Sequence, residues 1–384
     1  RQREREKERK RLITLFLKSK LNLIAINIKT NKFTLNKTTC LNLHTSNVRR
    51  QRTFPPSTPF PCQDSISWGR SKQVPTSVHR LRPGDIDVVA AIGDSLVAGS
   101  GALAPNNYRI MIIYTTFFVS AGGDSTWREF LTLPNILKEY NPNLRGYSTG
   151  TGEWLSKNSR LNVAFPVASD QDAYKQAKVS IKLYHKDIIL HQCLDVERDW
   201  KMITVFIGAN DLCSASCLSP VSWSPAAHAR KLAKALDYFH MHLPRTIVNL
   251  IPVLVSVRVL RPLMCRLMHP LFCTCFHRGG GELLDLVRQA RLYQAAEMAL
   301  PLPLVIHQSY ITHDCFHFSQ KGHALAANLL WNNLLEPVGN KSSAAPPVLL
   351  RAFRCPARAA PFLFTRTNSE EFLRTGRQDL AFET

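Results

Sequence analysis

The chain has 384 residues, with 49 Lys or Arg against 28 Asp or Glu, for a net charge of +21. Residues 1–53 hold 15 Lys or Arg against 3 Glu and so account for 12 of the 21 excess charges. With more than half of the excess at one end, the rest of the chain is only mildly basic, which argues against a nucleic-acid-binding core. No apolar run reaches the ~20 residues needed to cross a bilayer.

In chain order, Arg1 to Arg11 alternates Arg, Lys and Glu without apolar periodicity, a low-complexity run that need not fold. Leu12 to Ile28 is interrupted by Lys18 and Lys20 and lacks a signal-peptide core and cleavage site. Pro55, Pro56, Pro59 and Pro61 read as a linker. Residues 1–60 are therefore expected to be a disordered tail. A competing reading gives residues 1–53 the function, as a basic binder of RNA or anionic lipid.

From Leu81 the pattern becomes strand, loop, helix. Apolar runs predict strands over 87–92, 160–165, 202–208 and 246–255, with a weaker one over 302–306. Their continuous apolar character suits a parallel sheet covered on both faces. Ser224-Pro225 opens a helix whose Ala229, Leu232, Leu236 and Phe239 recur at helical spacing. Ser319 is placed to cap another through about Leu335, with Ala324, Leu325, Leu329 and Leu330 facing inward. Strands alternating with helices predict a three-layer α/β/α sandwich over residues 61–340. Residues 341–384 are rich in Pro and Ala and are expected to be irregular.

Three motifs carry chemistry. Gly93-Asp94-Ser95-Leu96 ends the first strand, where open α/β sheets place their ligands. Gly208-Ala209-Asn210-Asp211 ends a later strand, and Asp314-Cys315-Phe316-His317 sets a carboxylate and an imidazole three residues apart. A serine hydroxyl is a weak nucleophile until a base takes its proton. His317 is the expected base for Ser95, and Asp314 the residue that fixes the imidazole's tautomer. His313 is a competitor that spacing leaves open, whereas His323 falls inside the predicted helix and reads as packing. The Asn210 amide and the Ser95 backbone N–H are the expected oxyanion donors. Asp94 is expected to brace the turn.

The chain has ten cysteines. Cys213, Cys217, Cys265, Cys273 and Cys275 lack a histidine pair at zinc-ligand spacing. Disulfides in a secretory-pathway protein are expected, with no metal and no cofactor. Asn340-Lys341-Ser342 is a glycosylation sequon compatible with that compartment.

These residues resemble the GDSL (SGNH) hydrolase superfamily, and within it the membrane-associated phospholipase B group. The likeness also rests on Pro83-Gly84-Asp85, the run Phe206 to Cys213, Asp314 to Ser319 and Leu329 to Gly339. It implies a flavodoxin-like sheet and Ca²⁺-independent hydrolysis of phospholipids and lysophospholipids at a membrane surface. It also implies one of several tandem repeats, held outside the cell at an apical membrane, with no nucleic-acid partner. In this group the segment after the second strand ends in a glycine whose N–H completes the oxyanion hole. Here Val167 stands at that place, so a catalytically impaired repeat that binds lipid or supports neighbouring repeats is the alternative. Arg109 to Ala121 and the region 276–312 also depart from the group's pattern.

Overall fold

The computed structural model describes residues 49–104, 116–117, 122–152, 154–189, 194–253, 265, 270, 273–275, 283–297, 308–342 and 348–378. Strand β1 (Ile86–Gly93) runs through Ile-Asp-Val-Val-Ala-Ala-Ile-Gly and is buried almost throughout. It pairs in parallel with β2 (Trp200–Phe206), which pairs in parallel with β3 (Thr246–Leu250). A register shift between Ile86 and Val88 puts Ile86 and Val89 on one face and Val88, Ala90 and Ile92 on the other.

The strands' lack of polar alternation is explained by packing on both faces. Val88, Ala90, Ile92, Ile203 and Val205 meet α2 (Asp170–Ile189) and α3 (Pro225–His242) through Ala173, Ala177, Ile181, Leu232 and Phe239. Ile86, Val89, Trp200 and Met202 meet Trp127, Ile136, Tyr140, Ala324 and Trp331, the last two on α5 (Gln320–Leu334). Between them in sequence lies α4 (Leu283–Ala296). The result is an open, mostly parallel sheet between two helical layers, as expected.

Several boundaries differ from expectation. Residues 160–165 form no continuous strand, although Ala91 N–H donates to Leu161 O (3.2 Å) and Val163 N–H to Ala91 O (2.9 Å). The Asn162 side chain takes the Ala164 N–H at 3.1 Å, a local bond that competes with a sheet ladder. Strand β3 stops at Leu250; Ile251 still donates to Val205 O, but Pro252 has no N–H to continue. On α5 the buried apolar side chains are Ala324, Ala327, Trp331 and Leu334, with Leu325, Leu329 and Leu330 only partly covered. The weak strand 302–306 lies outside the described residues.

The expected tail and irregular end both contribute to the core. Gln51 is buried, accepting the Leu131 N–H and donating to Trp127 O and Arg128 O, while Phe54 and Phe60 stack near Trp127. The C-terminal segment carries α6 (Arg366–Thr375), capped by Thr365 and Asn368 and ended by Gly376 in the left-handed region. Phe362, Leu363 and Phe364 are buried ahead of it, and a Cys62–Cys355 disulfide ties the two ends together. An apolar triplet followed by a capping box outweighs the Pro- and Ala-rich composition. Residues 1–48, which hold most of the basic tail, lie outside the described residues.

Candidate active site

The Ser95 turn follows from the end of β1. Gly93 is required sterically, since a Cβ there would sit 2.3 Å from Phe206 O and 2.4 Å from Val97. Its backbone is gripped by Gln176 of α2, which accepts the Gly93 N–H (2.7 Å) and donates to Gly93 O (2.8 Å). Gln176 thus braces the backbone just before Ser95, and sequence alone does not single it out, since one Gln on a helix gives no local signal. Asp94 then caps a single helical turn, α1 (Ser95–Ala98), by accepting the Leu96 N–H at 2.9 Å. The Gly208 and Ala209 N–H groups also act on its carboxylate, so it faces the Asn210 turn as well as the Ser95 turn. Burial pushes Asp94 up to about 6 against those bonds and the nearby His317.

Ser95, His317 and Asp314 come together across 222 residues of chain. Ser95 Oγ lies 2.8 Å from His317 Nε2, and His317 Nδ1 lies 2.6 Å from Asp314 Oδ2. The other Asp314 oxygen accepts the Phe316 and His317 N–H groups at 3.0 and 3.1 Å, and the Thr312 hydroxyl as well. Burial alone would raise the Asp314 pKa. The His317 charge and the hydrogen bonds from His317, Thr312 and Phe316 win, holding it at about 2. All three residues are buried. The loop bearing Asp314 and His317 is clamped by a Cys265–Cys315 disulfide, with Cys315 in the left-handed region.

The two competing histidines are placed elsewhere. His323 is buried edge-on against Phe318, and burial followed by the His317 charge lowers it to about 3. His313 is half-buried, and its buried Nε2 has no hydrogen-bond partner among the described residues.

The expected oxyanion side is a separate assembly beside the triad. Asn210 Nδ2 donates to Ala168 O at 2.9 Å, tying the second motif to the turn Phe165-Pro166-Val167-Ala168. Ala168 N–H bonds Phe165 O (3.0 Å), and Val167 has φ +66°. With Pro at the second position and a left-handed third residue, this is a type II turn, which favours glycine at the place Val167 occupies. A β-branched residue there costs about 1–2 kcal/mol. After Asn210 a π-helical turn, Asp211–Ala215, is pinned by Cys213–Cys273 and Cys217–Cys275.

Beneath this wall lies a buried charged cluster. Asp170 N–H donates to both Asp211 oxygens at 3.1 Å, and the Asp170 carboxylate meets His228 Nδ1 (3.3 Å) and Lys231 Nζ (2.8 Å). His228 Nε2 reaches Glu297 at 3.0 Å, and Glu297 accepts the Val253 N–H. Asp170, Asp211 and His228 could offer ligand atoms to a metal, all within 4.8 Å of one another. Two cations, His228 and Lys231, already face the carboxylates, so the donor set does not call for a metal ion. Burial and the Asp170 charge raise Asp211 well above the usual carboxylate range.

Among the described residues, no helix is long and apolar enough to cross a membrane. The chain matches the GDSL-like Lipase/Acylhydrolase family model over residues 89–330. It is similar to "Phospholipase B1, membrane-associated" of Homo sapiens, 37% identical over 337 residues, covering 78% of this chain and 23% of that protein. The Rattus norvegicus protein of that name is 36% identical over 351 residues, covering 81% of this chain and 24% of its own length. The Mus musculus protein is 36% identical over 349 residues, with 81% and 23% covered. This chain thus spans about a quarter of the relatives it matches. With a family match from β1 to α5 and a Ser-His-Asp geometry inside it, the chain belongs to the GDSL-like lipase/acylhydrolase family.

Proposed function

We propose that the chain is a serine hydrolase that cleaves fatty acyl esters of phospholipids and lysophospholipids. The observation that carries this is the unbroken hydrogen-bonded line from Asp314 through His317 to Ser95. In the reading, His317 takes the Ser95 proton as Oγ attacks the ester carbonyl, then returns it to the departing alcohol. Water, activated by His317 in turn, releases the fatty acid from Ser95. Asp314, already ionised, holds the imidazole with Nε2 toward Ser95 and stabilises the imidazolium.

The oxyanion would be met by the Ser95 N–H, the Asn210 amide and the Val167 N–H. Ser95 is the first residue of α1, whose leading N–H groups have no intrahelical acceptor. Asn210 has a second amide N–H beyond the one given to Ala168. The lipid substrate class rests on the similarity to the phospholipase B1 proteins. An impaired repeat remains the second reading, supported by the strained Val167; the assembled triad favours the enzyme.

Four disulfides suit an extracellular, membrane-associated setting reached through the secretory pathway. Asn340, exposed on the turn after α5, is the proposed glycan acceptor. The test is fatty acid release from lysophosphatidylcholine. The wild-type chain should release it, and Asn210→Ala should lower kcat by about 10²–10³ without loss of fold. No release by folded wild-type protein would favour the impaired repeat.

A further inference from the structure

Among the described residues nine large apolar side chains are exposed to water, and four of them lie on the segments 154–167 and 218–223. They are Leu155, Val167, Leu218 and Val221, at 42%, 59%, 63% and 85% exposure. Contacts link the segments that carry Leu155, Val167 and Val221. The Trp154 indole donates to Val163 O (3.0 Å), and its ring meets Phe165 at 5.1 Å, two residues before Val167. Beyond Val167, Asp170 holds Lys231, which also donates to Ser222 O (2.8 Å) and lies 4.2 Å over the Trp223 ring. Leu218 follows Cys217, fixed by its disulfide to Cys275.

Two features separate these segments from ordinary surface apolar residues. Leu155 and Val167 are both left-handed, with φ +61° and +66°, so their backbones are strained and their side chains gain little from burial. Glycine or asparagine would fill both positions more easily. Trp154 and Trp223 are half-buried, with the mixed apolar and polar character that suits a boundary between water and hydrocarbon. Lys157, two residues from Leu155, is exposed and adds a cation to this segment.

The Phe165–Ala168 part of the rim adjoins the Ser95 turn. Phe165 N–H bonds Gly93 O (3.1 Å), immediately before Asp94 and Ser95, and Ala168 O holds Asn210. A protein partner seated here would close the approach to Ser95, whereas a lipid surface would supply it. We propose that the rim formed by Trp154, Leu155, Phe165, Val167, Leu218 and Val221 docks the chain onto a phospholipid surface with Ser95 facing the lipid. This rests on the acyl ester hydrolase reading for its purpose, but not for its test.

The experiment compares wild type with a Leu155→Asn, Leu218→Ser, Val221→Ser triple variant, none of which belongs to the catalytic machinery. Binding to phosphatidylcholine vesicles is measured by co-sedimentation, and turnover is followed on vesicles and on a water-soluble short-chain ester. The variant should bind vesicles about tenfold more weakly or worse and lose vesicle turnover in step, while soluble-ester turnover holds. Equal vesicle binding by the two proteins overturns the proposal. If wild type binds vesicles and the variant does not, but neither cleaves the soluble ester, docking stands and the hydrolase reading falls. The unaltered protein gives an independent reading through its tryptophan emission. Phosphatidylcholine with brominated acyl chains should quench it, and quenching should be lost in Trp154→Phe, Trp223→Phe. Absence of quenching in wild type also overturns the proposal.

Discussion

Asp314→Asn should lower kcat for ester hydrolysis by about 10⁴ while leaving the fold intact. The carboxylate accepts from His317 Nδ1, which obliges Nε2 to face Ser95 as the acceptor of its proton. An amide can present its N–H to Nδ1 instead, selecting the tautomer whose Nε2 carries hydrogen and cannot act as base. Substrate binding does not involve Asp314, so KM should change little. The carboxylate is held at about 2, below its unfolded value near 4, so its contribution to stability is complete above about pH 4. That contribution is lost as pH falls through 2. Pre-steady-state kinetics on a chromogenic ester, beside a thermal melt at pH 7, check both statements. A loss of only a few fold would mean that the hydrogen-bonded line has no catalytic use.

The sheet and the triad were legible in the sequence because each is encoded locally. Buried parallel strands need unbroken apolar runs, and Ile86 to Gly93 and Trp200 to Phe206 supply them. Ser319 and Ser224 sit at their helix starts, each accepting the N–H three residues on. Ser95, Asp314 and His317 lie in short motifs whose residue types suit only a few chemistries. What stayed hidden depends on partners distant in sequence. Gln176 matters only because α2 lays it against Gly93, 83 residues earlier. Phe54 and Phe60 were assigned to a tail by their prolines, yet Trp127 gives them a core to enter. The pairing of Cys213, Cys217 and Cys265 with Cys273, Cys275 and Cys315 could not be read from spacing. Val167 was legible by position but not by consequence: its left-handed backbone emerges only from the turn it closes.

The largest stability effect is expected from His228→Ala. His228 is fully buried between the Asp170 and Glu297 carboxylates, and removing it leaves both without their shared cation. Breaking a buried pair in this way costs about 3–5 kcal/mol. Burial opposes the charge on His228, but hydrogen bonds to Asp170 and Glu297 and the carboxylates' charge raise it to about 9. A raised folded value means that the stabilisation is complete below the unfolded value near 6.5 and is lost as pH climbs through 9. Urea unfolding should therefore show the widest gap between wild type and variant near pH 6, narrowing toward pH 10. A gap independent of pH would show that His228 acts through packing against Tyr293 rather than through its charge.

The central claim is that Ser95 is an activated nucleophile, and a fluorophosphonate probe reads that directly, without a choice of substrate. Wild-type protein should be labelled stoichiometrically at Ser95, as located by peptide mass spectrometry. Ser95→Ala should take up none, and Asp314→Asn should label far more slowly. Folded wild-type protein that resists the probe, or that is labelled at another residue, would contradict the account.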